Sequence, residues 1–303
     1  MRTNLQLRDA GAGNDVAGLP GWLADAAVQA LVDEATLTPK PGLVDLRGNG
    51  AHTDLNWMLM CHSARTLRPA FLAMALDGQR TLDAQALREQ IGAAGREAER
   101  AMMRATHGVN THRGAIWALG LLVTAAAQDS TALRAPLVAR RAAALAVRHD
   151  PHAPAVTGNK GALACLQHGV GGARAQAQNG FPLVIEAALP TLIASRLRGD
   201  SEDHARLNAL LAVIAQLDDT CLLARGGRPA LAAAQAGAQR VLDAGGASVE
   251  MGQRALRSLE DELRTRHVSP GGAADLLAAA LLLERVEHHS ITVLGNQHGT
   301  TAV

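Results

Sequence analysis

Tyrosine is absent from this 303-residue chain, and the aromatic side chains present are Trp22, Trp57, Trp117, Phe71 and Phe181. So thin a supply excludes the row of exposed rings on which nucleic-acid bases stack. It also argues against an all-β core, because the Ala and Leu that dominate here favour helix. Charge of one sign is missing as well. Lys and Arg number 29 against 28 Asp and Glu, so no global field draws the chain to nucleic acid or to a membrane surface. Any anionic ligand must be held by local groups. The three cysteines, Cys61, Cys165 and Cys221, are widely separated and lack metal-type pairing. They read as buried thiols in a reducing compartment, which makes a cytoplasmic location the expectation. No apolar run is long enough to span a bilayer, the longest being residues 276–283. Residues 1–19 carry no apolar signal core.

What is present is helix. With 48% hydrophobic and 19% charged residues, the chain has the profile of a soluble globule large enough to bury a sizeable core. Leu23, Ala27, Ala30 and Leu31 recur at helical spacing behind Pro20, and Glu34 falls next on the same inward face. Asp54 is the expected cap of a helix running through Trp57, Cys61 and Leu67 toward Leu76, kinked at Pro69. Asp83 caps another, with Leu87, Ile91, Ala98 and Met102 inside. Residues 115–127 are apolar on every side, so that helix is enclosed by others and central. Further helices are expected over 130–149, from Gly158-Asn-Lys-Gly161 to near His168-Gly169, and along Leu207, Leu210, Leu211 and Ile214. The last of these faces is continued by Asp218, with the helix running on to Arg225-Gly-Gly227. Ser269 is the expected cap, and Pro270 the first residue, of a final apolar helix. No segment alternates at strand period. The expectation is an all-α, single multi-helix domain of about ten helices around a buried central helix. It spans residues 20–287, with a loose leader over 1–19 and a flexible tail over 288–303.

Charged groups gather where these helices end. Thr38-Pro-Lys-Pro-Gly42 breaks the first helix and holds Lys40 at a stiff turn, with Asp45, His52 and Asp54 close behind. Asn110, Thr111, His112 and Arg113 stand at the start of the central helix, beside free backbone N–H groups that suit an anion. Gly169-Val-Gly-Gly-Ala-Arg174 fails the dinucleotide-binding spacing, and no strand precedes it. Three inward acids on different helices, Glu34, Asp218 and Asp275, face Lys40, His112, Arg113, Arg174 and Arg225 at helix ends. Opposed charges so placed suit a polyphosphate bound through Mg²⁺, with carboxylates on the metal and basic groups on the phosphates.

Five motifs together resemble the triphosphoribosyl-dephospho-CoA synthase family: Glu34-Ala-Thr-Leu-Thr-Pro-Lys-Pro-Gly-Leu-Val-Asp45, Gly108-Val-Asn-Thr-His-Arg-Gly-Ala-Ile116, Gly180-Phe-Pro182, Asp218-Asp-Thr220 with Arg225-Gly-Gly227, and Ser269-Pro-Gly-Gly-Ala-Ala-Asp-Leu-Leu277. They appear in family order across about residues 31–284. The resemblance implies two substrates, ATP and 3′-dephospho-CoA. The 2′-hydroxyl of dephospho-CoA displaces adenine from C1 of the ATP ribose, giving the precursor of the prosthetic group on an acyl carrier subunit. Thr53, Arg113 and the Asp-Asp-Thr run resemble the malonate decarboxylase branch more than the citrate lyase branch.

Breaking an N-glycosidic bond builds positive charge on the ribose, which a carboxylate stabilises. A base must take the hydroxyl proton, and adenine leaves better when protonated. Glu34 or Asp218 is therefore the expected base or charge stabiliser, and His52 the candidate acid. Asp219 and Asp275 are expected to support Mg²⁺. Lys40, Asn110, Thr111, His112, Arg113, Arg174, Arg225 and Ser269 are the expected substrate-binding groups. Two rival readings stand beside this one: a helical Mg²⁺-dependent nucleoside or ADP-ribose hydrolase, and a non-catalytic chaperone of the carrier subunit. Oligomeric state stays open, a homo-oligomer included.

Overall fold

The computed structural model describes residues 18–154 and 158–298, with the side chains of 290–298 excepted. Among the described residues there are thirteen α-helices, one π-helical turn and no β-strand. They are α1 (Gly18–Thr36), α2 (Trp57–Thr66), α3 (Arg68–Arg80), α4 (Ala84–Ala105), α5 (Arg113–Gln128), α6 (Ala135–Ala146), α7 (Lys160–His168) and α8 (Gly172–Gln178). The π-turn Val184–Ala188 leads into α9 (Leu189–Leu197), followed by α10 (Glu202–Ile214), α11 (Thr220–Asp243), α12 (Glu250–Thr265) and α13 (Gly271–His298). The all-α expectation holds. None of these helices is long and apolar enough to cross a membrane.

The all-apolar stretch is the central element. Every residue of α5 from Ala118 to Ala127 is buried, and α1, α3, α4, α6, α8 and α13 pack around it. Such a helix has no polar face to offer water, so enclosure is its only stable placement. The closest approach is to α3, where Gly78 lies against the Thr124 carbonyl. A β-carbon there would come within 2.4 Å of that oxygen. Phe71 on α3 is completely buried, a burial that stabilises by roughly 2–3 kcal/mol.

Several boundaries fall elsewhere than expected. The helix expected from Asp54 to Leu76 is two helices, because the chain turns at Leu67 and restarts at Arg68-Pro69. Its cap is Asn56, whose side chain accepts from the Leu59 N–H, and not Asp54. Pro69 has no N–H to donate, and in the first turn of α3 none is needed. The helix expected to continue from Ile214 through Asp218 to Gly227 stops at Ile214, and a new one begins at Thr220. Within α11, Gly227 breaks the helical geometry with φ +64. Ser269 does not cap α13: its hydroxyl is buried without a hydrogen-bond partner. The tail expected from 288 is helix through His298, while the leader, apart from Gly18 and Leu19 in α1, lies outside the described residues.

Candidate functional site

α1 ends on Glu34, Ala35 and Thr36, and the proline-rich turn folds Lys40 back over that end. The Nζ atom of Lys40 donates to Glu34 Oε1 at 2.5 Å and to the Glu34 main-chain oxygen at 2.5 Å. Both residues are buried, at 2% and 4% exposure. A cation at a helix C-terminus satisfies orphan carbonyls and opposes the negative end of the dipole. Asp45 fixes the turn by accepting from the Lys40 main-chain N–H at 3.0 Å. Arg47 in turn ties Asp45 to Glu260 on α12. Lys40 is therefore a locked structural partner of Glu34 and not a free phosphate ligand.

At the start of α5, His112 is buried. Its Nδ1 lies 2.9 Å from Ser63 Oγ, which lies 2.6 Å from Thr111 Oγ1. Its Nε2 is buried without a partner. Burial, helped by the positive Lys40 nearby, pushes its pKa down to about 4. A ring that is neutral at pH 7 offers a phosphate an N–H donor and no positive charge.

The carboxylates meet where the N-termini of α5, α11 and α13 converge. Asp219 caps two helices at once. Its Oδ1 accepts from Cys221 and Leu222 of α11, and its Oδ2 accepts from the Ala273 N–H of α13 at 2.9 Å. Burial raises its pKa, and these backbone donors oppose the rise. Asp275 reaches from α13 to the first turn of α5. Its Oδ2 lies where a β-carbon on Gly114 would come within 2.0 Å, and the Ala115 N–H donates to it. Burial, then the negative charges of Glu34 and Asp219, hold the Asp275 carboxyl well above the usual carboxylate range. Desolvation and these two aspartates push the Cys221 thiol up, while Arg225 pulls the other way. By accessible surface Cys221 is exposed and Cys165 half-buried, so of the three cysteines expected to be buried only Cys61 is.

A small pocket of about 20 Å³ opens onto this convergence, its wall including Gly114, Gln176, Phe181, Asp218, Asp219 and Asp275. The inward acid of the Asp218-Asp219 pair is Asp219. Asp218 is exposed, standing at the pocket on a non-helical turn. The expected meeting of acids from separate helices therefore occurs, with Asp219 in the buried position assigned to Asp218.

The remaining expected groups are spread around this centre. His52 Nδ1 is 3.2 Å from Arg225 and 3.8 Å from Asp54. Burial and Arg225 depress its pKa to about 4, against Asp54, so at neutral pH it has no extra proton to give as an acid. Asn110 accepts from the Arg113 N–H at 3.2 Å, and the Arg113 Nε pairs with Glu99 at 3.0 Å, on α4 and away from the acidic pocket. Arg174 is exposed and close enough to Arg88 to repel its charge. Ser63 and Gln176 belong to the centre although nothing in their sequence neighbourhood singled them out, and Gly114 belongs to it as part of the Gly108–Ile116 motif, with no role expected of it. The only available signal was that Gly114 sits beside the polar loop at the start of the central helix.

Among the described residues, no group of three His, Cys, Asp or Glu side chains could hold a metal ion. The donors at the pocket nevertheless suit a Mg²⁺ brought in on a nucleotide, which keeps waters and takes only one or two carboxylates beside the phosphates. Asp219 is a poor donor for it, since both oxygens already accept backbone N–H groups.

Residues 20–293 match the family described as ATP:dephospho-CoA triphosphoribosyl transferase. A probable 2-(5''-triphosphoribosyl)-3'-dephosphocoenzyme-A synthase of Stutzerimonas stutzeri is 55% identical over 276 residues, covering 90% of this chain and 94% of the relative. One from Pseudomonas fluorescens is 56% identical over 269 residues, covering 88% and 91%. Another, from Azotobacter vinelandii, is 54% identical over 266 residues, covering 87% and 91%. No solved structure matches. The chain belongs to the ATP:dephospho-CoA triphosphoribosyl transferase family, a membership that implies a transferase acting on ATP and dephospho-CoA.

Proposed function

We propose that the acidic pocket at the meeting of α5, α11 and α13 faces the reacting ribose of ATP, and that Asp275 moves the proton. The observation that carries this is the Asp275 carboxyl itself. It faces a pocket, is seated on Gly114, and is flanked by the negative charges of Glu34 and Asp219. A carboxyl raised in this way keeps its proton to higher pH than an ordinary carboxylate and can deliver it to a leaving group. In the reaction the C1–N bond of the ATP ribose breaks as a C1–O bond forms to the 2′-oxygen of dephospho-CoA. Asp275 gives its proton to the departing adenine. Asp218, exposed at the pocket, takes the proton of the attacking hydroxyl and offsets the positive charge developing on the ribose. Glu34 acts through Asp275, keeping its carboxyl raised, while Lys40 neutralises and anchors Glu34. Mg²⁺ carried by the triphosphate would neutralise phosphate charge; Asp219, with both oxygens on backbone N–H groups, and Asp275, protonated on this reading, are then not the ligands that the sequence suggested for it.

The product on this reading is the precursor of an acyl carrier prosthetic group. Thr53, Arg113 and Asp218-Asp-Thr220 favour malonate decarboxylase as the system served, with citrate lyase the alternative. A cytoplasmic location is supported by the widely spaced, unpaired cysteines.

The test is adenine release, followed by chromatography with ATP, Mg²⁺ and dephospho-CoA. Asp275→Asn should abolish it in a protein with an unchanged circular dichroism spectrum. Full turnover by that variant would remove Asp275 from the chemistry. Adenine released equally without dephospho-CoA would favour the hydrolase reading.

A further inference from the structure

On the other side of the α5 start lies a second, open concavity of about 400 Å³, walled by Arg96, Glu99, Arg100, Met103 and Arg104 of α4 and by Arg113 of α5. Arg113 in the wall of the groove and Gly114 in the wall of the acidic pocket are chain neighbours at the start of α5. Its guanidinium groups are under-neutralised. Glu97 is shared by Arg100 at 2.7 Å and Arg104 at 2.9 Å. Asp150 Oδ2 is shared by Arg96 at 2.6 Å and Arg88 at 3.5 Å. Arg113 has Glu99 at 3.0 Å. Behind the groove, Arg88 is 4% exposed, and its Nε is buried without any acceptor. Arg174 adds positive charge on the same side.

A solvated helix face would pair its charges one to one along the surface. Here four arginines line the groove against one lining acid, Glu99, and the nearby Glu97 and Asp150 are each shared between two arginines, so positive charge is in excess at the cavity. Arginine is the side chain best matched to phosphate, because its planar fork donates two parallel hydrogen bonds. We propose that this groove seats the phosphate chain of one of the two nucleotide substrates while its ribose faces the adjoining acidic pocket. The shared chemistry is a linear polyphosphate on an adenosine 5′-carbon, which could come from the triphosphate of ATP or the diphosphate of dephospho-CoA. This inference rests on the acidic pocket being the reaction centre.

The test uses Arg100→Glu/Arg104→Glu, two exposed positions whose ion pairs are with exposed Glu97. Inorganic tripolyphosphate is the probe, titrated by calorimetry into the full-length protein. Binding should weaken at least tenfold, whereas Arg254→Glu/Arg257→Glu on α12, the same change in net charge at exposed sites, should bind like the wild type. With substrates, KM should rise at least tenfold and kcat should stay near the wild-type value. A rise for ATP alone assigns the groove to the triphosphate, and a rise for dephospho-CoA alone assigns it to the diphosphate. Less than threefold loss of tripolyphosphate binding, an equal loss in the α12 variant, or both KM values unchanged overturns the proposal. Asp275→Asn separates the two readings. It should lose turnover while binding tripolyphosphate normally, and full activity in that variant would defeat the pocket assignment without touching the groove.

Discussion

Lys40 and Glu34 form a closed pair: one ammonium group, 2.5 Å from both the carboxylate and the main-chain oxygen of the same residue, with both side chains buried. The pair joins the end of α1 to the turn that follows it. Removing one partner leaves a charge in a place that cannot hydrate it, a loss of about 3–5 kcal/mol. Lys40→Met should therefore lower the unfolding midpoint sharply. The double variant Glu34→Gln/Lys40→Met should recover part of the loss, because no uncompensated charge remains. Chemical denaturation of the three proteins checks this. A single variant within about 1 kcal/mol of wild type would show that the pair carries no such energy.

Glu34 also acts on Asp275. Its negative charge is one reason, after burial, that the Asp275 carboxyl is raised. Glu34→Gln removes that charge, so the Asp275 pKa should fall. If Asp275 must be protonated to release adenine, the alkaline limb of the pH profile of kcat should move to lower pH. A limb that stays in place, or moves to higher pH, contradicts the role given to Glu34.

Asp275→Asn should separate stability from activity. Asparagine keeps an acceptor for the Ala115 N–H and sheds the charge. Because the folded-state pKa is raised, the ionised carboxyl burdens the native state as pH climbs above the unfolded value. At pH 8 the variant should unfold at a temperature equal to or above that of wild type, while turnover drops at least a hundredfold. Calorimetry and the adenine assay together decide the point.

Gly114→Ala tests the seat of that carboxylate. The new methyl would lie 2.0 Å from Asp275 Oδ2, closer than any non-bonded contact allows, so the side chain must leave. Alanine favours helix over glycine by about 1 kcal/mol, so α5 itself should form normally. Turnover should fall as in Asp275→Asn, with native helix content. Wild-type kinetics would mean that the carboxylate need not sit there.

His112 predicts acid sensitivity. Its folded-state pKa of about 4 lies below its ordinary 6.5, so the unfolded chain takes up a proton that the folded chain refuses. Stability is then intact above about pH 6.5 and is lost as pH falls toward 4, by about 3 kcal/mol at the acid end. His112→Asn should flatten that slope in urea unfolding between pH 7 and 4. An equally steep slope in the variant would assign the loss to other groups, His52 foremost.

Much of the fold was legible because helices are written locally. The all-apolar run over 115–127 could only be an enclosed helix, and Asp83 and Asn159 stand at the helix starts where their side chains cap. Leu67 is different: Pro69 marked a kink in the sequence, whereas the chain ends α2 at Thr66 and starts a separate α3 at Arg68. Asp218 and Asp219 show the same limit in the site. Helical periodicity extended from Leu207 points Asp218 inward, but the chain leaves the helix at Ile214, and three unplaced residues are enough to reverse which acid is buried.

Residue chemistry in order along the chain was sufficient for the all-α class, the central helix and the acids and bases of the motifs, since propensity and periodicity depend on near neighbours alone. The partnerships were settled by tertiary contact. Lys40 folds onto Glu34, Asp219 caps two helices at once, Asp275 crosses from α13 to Gly114, and His112 is buried as a neutral ring. Each of these depends on burial and on charges brought together from distant parts of the chain, and both quantities come into being only when the helices pack.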